Sequence, residues 1–181
     1  MLRTAMIRAS VLVAVLLPEI AFAGPYDDLM KAHDAFQNAK SWHAEEHFSN
    51  GKTVTVEYSA PDRWRVQPNP DFTEVIIGND VYMVRNGRAT KLPVGGDMIR
   101  TMIQRLGFSA SDDMKDSARD LGMQTIDGRS LHAYSYTANG TPVTLYLGPD
   151  SLPVKSVVQD SNTTTIITYS KYNEPISIEA Q

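Results

Sequence analysis

The chain of 181 residues contains no cysteine. That excludes a disulfide framework, a thiolate metal site, a cysteine nucleophile and a cysteine able to carry a lipid anchor. Positive charge is also scarce: 17 Lys and Arg against 21 Asp and Glu leave a net charge of −4, and no stretch concentrates the cations. Proteins that hold a phosphate backbone do so with a basic patch, so nucleic acid is excluded as the main partner. Long apolar runs are missing too. The run Ala9 to Leu17 is closed by Pro18 and Glu19 and is far shorter than the roughly 20 residues that span a bilayer. The glycine patterns of catalysis and phosphate binding are absent as well. There is no Gly-x-Ser-x-Gly elbow, and Gly95-Gly96 lacks the further glycines or Gly-Lys-Ser/Thr of a phosphate loop.

The first 23 residues have the pattern of a secretory signal. Arg3 and Arg8 supply a positive start, Ala9 to Leu17 the apolar segment, and Ala21-Phe22-Ala23 the small residues of a cleavage site before Gly24. Removing Arg3, Arg8 and Glu19 takes the charge from −4 to −5. The expectation is an exported, soluble, periplasmic protein cleaved near Ala23, with residues 24–181 forming one domain of a size that supports a sizeable core.

Pro25, then Tyr26, Leu29, Met30, His33 and Phe36, place apolar groups at helical spacing, with Asp27 and Asp28 in the first turn. After this helix the period changes to two. Strands are expected at 42–49, 52–59, 63–67, 72–78, 80–86 and 88–92, and again at 119–126, 129–138, 141–148, 153–160 and 163–172. Turn pairs such as Asn50-Gly51, Asn86-Gly87, Asp127-Gly128 and Asn139-Gly140 separate them. Between the two groups, Met98, Ile99, Met102, Ile103 and Leu106 fall on one face of a helix over 97–106, preceded by Gly95-Gly96 as a hinge, and a short helical turn is expected after Ser111. About eleven antiparallel strands at this spacing predict a strongly curved sheet or open barrel. A methionine-rich helix face is an adaptable lining for irregular apolar guests. Ordinary core packing accounts for it equally, and both readings stay open on the residues alone.

One string invites an enzymatic reading. His43-Ala44-Glu45-Glu46-His47 fits the H-x-x-E-H order of inverted zinc peptidases, whose chemistry needs both histidines one helical turn apart on one face plus a further ligand. Its flanks, Ser41-Trp42 and Phe48 before Asn50-Gly51, read as a strand, which puts His43, Glu45 and His47 together on one sheet face. No metal, cofactor or catalytic residue is expected.

Several segments, in order, resemble the periplasmic lipoprotein-carrier superfamily (LolA/LolB-like, including LppX/LprG-like lipid carriers). Ser41-Trp42-His43-Ala44 looks like the start of that family's first strand. Val56 to Trp64, with Pro61-Asp62 between, looks like its strand, proline turn and aromatic, and Val75 to Met83 like its apolar run, turn and aromatic strand. Leu145 to Val154 is similar to its Leu-Pro-Val hairpin, and Tyr169 to Ile176 resembles the LppX/LprG-like terminus. Where the lipoprotein carrier has an arginine before the proline, this chain has Ala60, so the resemblance does not extend to that family's lid latch.

The resemblance implies a mostly β (α+β) fold: an open, curved antiparallel half-barrel around an apolar cavity, with a helical lid. It implies non-enzymatic binding or transport of a lipid, or of the acyl chains of a lipoprotein, with an envelope membrane protein as donor, acceptor or signalling partner. The alternative is an envelope-sensing regulatory or protein-interaction module on the same fold. Trp64 matches the aromatic that lines the carriers' cavity. The ligand-binding residues expected on this basis are Val54, Val56, Trp64 and Val66 on the early strands, Val75 and Ile77 in the apolar run, Met98, Met102 and Ile103 on the lid helix, and Leu145 and Leu147 in the late hairpin.

Overall fold

The computed structural model describes residues 24–96, 108 and 110–181. Helix α1 (Pro25–Gln37) opens on a proline, whose fixed φ suits a first helical position. The Asp27 carboxylate accepts the Gly24 N–H at 3.1 Å, and Asn38 closes the other end by donating its side-chain amide to Asp34 O at 2.8 Å. The apolar spacing buries Leu29, Ala32 and Phe36.

Eleven strands follow: β1 (Ser41–Phe48), β2 (Thr53–Ser59), β3 (Arg63–Asn69), β4 (Phe72–Ile77), β5 (Asp80–Arg85), β6 (Arg88–Gly95), β7 (Arg119–Ile126), β8 (Arg129–Ala138), β9 (Thr141–Leu147), β10 (Pro153–Asp160) and β11 (Thr163–Ser170). A one-turn helix α2 (Met114–Ser117) precedes β7. Every expected strand is present. Asn86-Gly87, Asp127-Gly128 and Asn139-Gly140 all adopt positive φ at both residues, the backbone of tight hairpin turns whose twist matches the flanking strands. Strand β6 runs past the expected stop at residue 92, through Pro93. It lies at a sheet edge, where a residue with no N–H breaks no ladder bond.

The strands form one open antiparallel sheet in the order β6-β5-β4-β3-β2-β1-β11-β10-β9-β8-β7. Two meanders, β1–β6 and β7–β11, are therefore joined through the pairing of the first strand with the last. Consecutive strands β6 and β7 end up at opposite edges, and the chain between them links one edge to the other. The lid helix expected over 97–106 lies outside the described residues. Its preceding glycine, Gly96, donates its N–H to Asn79 O at 3.0 Å, and an added Cβ would meet Gly78 O at 3.1 Å and Ile76 Cγ2 at 3.2 Å. Close approach of β6 to the β4–β5 turn is thus what glycine permits there.

Cross-strand register sorts the side chains. Trp42, Ala44 and Glu46 face the same side as Tyr58, Val56 and Val54, and as Tyr169 and Ile167 across β11. On this inner face one apolar cluster extends from Val81 on β5 to Tyr134 on β8, with Leu29, Ala32 and Phe36 of α1 packed into it. The sheet therefore curls around the helix. Helix α2 is tied to the β8–β9 turn through Asp113, whose carboxylate accepts the Gly140 N–H at 2.8 Å and the Ser111 hydroxyl at 2.6 Å.

The outer face carries a second layer over β3 and β4. Arg65 donates to Ser177 O at 2.7 Å and Arg63 to Ile178 O at 2.9 Å, which lays the C-terminal segment across these strands. Ile178 of this segment is buried. Among the described residues no helix is long and apolar enough to cross a membrane.

Candidate ligand cavity

On the inner face of β1 and β8–β11 the sheet leaves a cavity of about 500 Å³. Its walls are Tyr136 on β8, Val143 and Leu145 on β9, Ser156 and Val158 on β10, and Ile167 and Tyr169 on β11. Glu46 and Phe48 of β1 border it, as does Phe108 from the connection between β6 and β7. Strand alternation creates this wall, because Val143, Leu145, Ser156, Val158 and Ile167 are cross-strand partners or next-but-one neighbours on one face. Asn50, Asn139, Thr141, Asp160, Thr163 and Thr165 line it alongside the apolar side chains, and its size is within the range of small-molecule sites.

The polar groups are unusual for a sheet interior. Glu46 stands between Val54 on β2 and Ile167 on β11 and is only 2% exposed. Burial pushes its carboxyl up from 4.5 to about 7. The Tyr169 hydroxyl lies 3.5 Å from Ser156 Oγ, and burial pushes both Tyr169 and Tyr136 well above the ordinary tyrosine range. Among the described lining residues there is no lysine, arginine or histidine.

The residues expected to bind ligand divide into four sets. Leu145 lines this cavity, whereas Leu147 borders a separate hollow of about 400 Å³ beside His132 and Tyr134. Val54, Val56, Trp64 and Val66 share the inner face on the early strands. There Val56 and Val66 are buried in the core, and Trp64 is half-buried in an aromatic group, its ring 4.6 Å from Tyr58 and 5.5 Å from Trp42. Val75 and Ile77 project from the outer face: register sets them opposite Arg65 and Arg63 and sets Ile76 opposite Trp64. Met98, Met102 and Ile103 lie outside the described residues.

The remaining cavity residues went unnamed in the sequence, although the signal was present. Glu46 has the same strand parity as Ala44 and Phe48, so alternation marks it as an acid on an apolar face.

His43, Glu45 and His47 of the histidine string occupy the opposite face of the same strand, as its flanks predict. His43 Nδ1 is 3.1 Å from Glu57 Oε1, His47 Nε2 is 3.5 Å from Glu45 Oε2, and Arg65 donates to Glu57 Oε2 at 2.6 Å. Burial raises the Glu57 carboxyl, but hydrogen bonds from His43 and Arg65 together outweigh it and hold the group below its usual range. The strand separates His43 and His47 where a peptidase would stack them on a helix. Purified protein should contain substoichiometric zinc, and His47→Ala should change stability by less than about 0.5 kcal/mol, as at an ordinary surface site. Tightly held zinc in a one-to-one ratio, read by elemental analysis, would contradict this.

Among solved structures, LprF from Mycobacterium bovis superposes over 86% of this chain and 95% of its own, with a TM-score of 0.61 and 15% identity. Lipoprotein LppX from Mycobacterium tuberculosis superposes over 86% of this chain and 98% of its own, with a TM-score of 0.62 and 14% identity. The fold is that of LppX and LprF. No family model and no curated protein matches the sequence. The LppX-like open half-barrel agrees with the resemblance drawn from the sequence, and at these identities the agreement concerns the fold.

Proposed function

We propose that this protein binds a lipid or acylated molecule, without chemical conversion, in the cavity bounded by β1 and β8–β11. The observation that carries the reading is the cavity itself, about 500 Å³ with Tyr136, Val143, Leu145, Val158 and Ile167 in its wall, on a fold shared with a lipoprotein. Moving acyl chain from water to such a wall gains about 0.8 kcal/mol per CH₂, so even a partly accommodated chain supports useful affinity. The proposal keeps Met98, Met102 and Ile103, from the chain between β6 and β7, among the ligand-binding residues. The proposal includes export through the leader at residues 1–23, a single domain over 24–181, and exchange of cargo with an envelope membrane protein.

Val158→Glu tests the cavity. Val158 is partly buried and lines the wall, so a carboxylate there can reach water in the empty protein but meets apolar chain in the loaded one, where desolvation is costly. The variant should keep its circular dichroism spectrum and bind an uncharged fluorescent acyl probe about tenfold or more weakly, a change of 1.4 kcal/mol or more. Trp64→Glu, on the same face but outside the cavity wall, should also fold and should weaken binding less. Undiminished probe binding by folded Val158→Glu would overturn the location, and a native protein that binds no probe would overturn the function.

A further inference from the structure

Among the cavity's lining groups, Glu46 is the acid that an acyl chain does not need and the fold nonetheless buries. Glu46 is 2% exposed, borders the cavity, and has no hydrogen-bond partner among the described residues. Its cross-strand neighbours are Val54 and Ile167. A buried carboxyl without a partner is costly, and nothing in the sheet requires one here, since the equivalent inner-face position two residues earlier is Ala44. The charge setting is equally one-sided. The other acid bordering the cavity is Asp160, and no cationic side chain is present among the described lining residues. Among the described lining residues, a fatty-acid carboxylate or a phosphate carried into this space would find like charge and no counter-ion. A hydroxyl or an ammonium would find a waiting acceptor, with the Tyr169 and Ser156 hydroxyls on the neighbouring strands of the same wall.

We infer that Glu46 anchors the polar end of the ligand, so that the cavity selects a long-chain molecule whose inner end donates a hydrogen bond, a hydroxyl or an amine, and rejects anionic ends. The inference rests on the lipid-binding reading and deepens it. Such a ligand supplies a partner for Glu46, and a carboxylate accepting from a charged donor at a largely buried position is a strong interaction. Because burial raises the carboxyl's affinity for its proton in the empty state, an ammonium must displace that proton, whereas a hydroxyl can donate to the carboxylate or accept from the protonated acid.

Titration of the full chain with decan-1-ol, decylamine and decanoate, each below its aggregation concentration, tests the inference at equal chain length. At pH 8 the alcohol or the amine should bind about tenfold or more tightly than decanoate, since two carboxylates sharing one site repel. Glu46→Gln, nearly identical in shape, should close that gap. The amine stays protonated to about pH 10, like a lysine, so its affinity should rise several-fold between pH 6 and 8 in the native protein and stay flat in Glu46→Gln. A hydroxyl-selective site would show a much smaller rise.

Other titratable groups come close to the cavity: Tyr169 from β11, Tyr136 from β8, Asp160 from β10, and His33 of α1, whose ring meets Phe108 edge-on at 5.7 Å. The Glu46→Gln background separates their contribution. Decanoate binding as well as the alcohol and amine, or a preference that survives Glu46→Gln, would overturn the anchor. So would failure of all three ligands in a protein that still binds the uncharged probe. Failure of the probe as well would overturn the lipid-binding reading itself.

Discussion

Replacing Phe36 with alanine should destabilise the protein by about 3–5 kcal/mol, the usual cost of removing a fully packed phenylalanine. Phe36 is 4% exposed. It is the aromatic contact of α1 with the sheet, with ring centroids 5.1 Å from Trp42, 5.7 Å from Tyr169 and 6.3 Å from Tyr172. Those partners come from β1, β11 and the segment after β11, the strands that join the two meanders, so the lost contacts lie at the seam of the fold. Urea denaturation should show the midpoint falling with little change in slope. Met30→Ala, at a half-buried position of the same helix, should cost clearly less. Equal effects would mean that α1 rests on the sheet without being gripped at this point.

Replacing Glu46 with glutamine should stabilise the protein, increasingly as the pH rises from about 4.5 to about 7. The carboxyl moves from 4.5 to about 7 on folding because burial penalises its charge. The folded state therefore binds this proton more tightly than the unfolded chain does. The group leaves stability intact below about pH 4.5; stability is then lost as the pH rises through about 7, and the loss is constant above that. A shift of this size corresponds to about 3 kcal/mol. Glutamine does not ionise, so the variant should match the native protein near pH 4.5 and exceed it by up to about 3 kcal/mol at pH 8. Denaturation curves of the two proteins at pH 5, 6, 7 and 8 should diverge in that order. A constant difference across the range would show that Glu46 reaches water in the folded state.

The eleven strands and helix α1 were legible along the chain because each depends on residues close together. Period-two alternation, Asn-Gly and Asp-Gly pairs that tolerate positive φ, and a proline before an apolar helical face all act within a few residues. The strand character of His43 to His47 was legible for the same reason, from its flanks. Strand β6 outran its expected end because Pro93 breaks a strand only where its N–H is needed, and an edge strand does not need it. That depends on sheet position, which no local window contains.

The cavity depended still more on distant pairing. Val75 and Ile77 form an apolar run with Ile76 that looks uniformly internal. The register with β3 turns Ile76 inward beside Trp64 and sends its neighbours outward, under a C-terminal segment about a hundred residues away in sequence that Arg63 and Arg65 hold down. Glu46 carried a parity signal, an acid in step with Ala44 and Phe48. Its burial was decided only when β11 paired with β1 and brought Ile167 and Tyr169 alongside. The sequence by itself determined which residues alternate and where the chain turns, since backbone sterics and side-chain period are local. Tertiary structure alone decided which face of each strand is covered and, among the described residues, which part of the inner face lines the cavity, because both follow from β1 meeting β11 and from where α1 fills the curve.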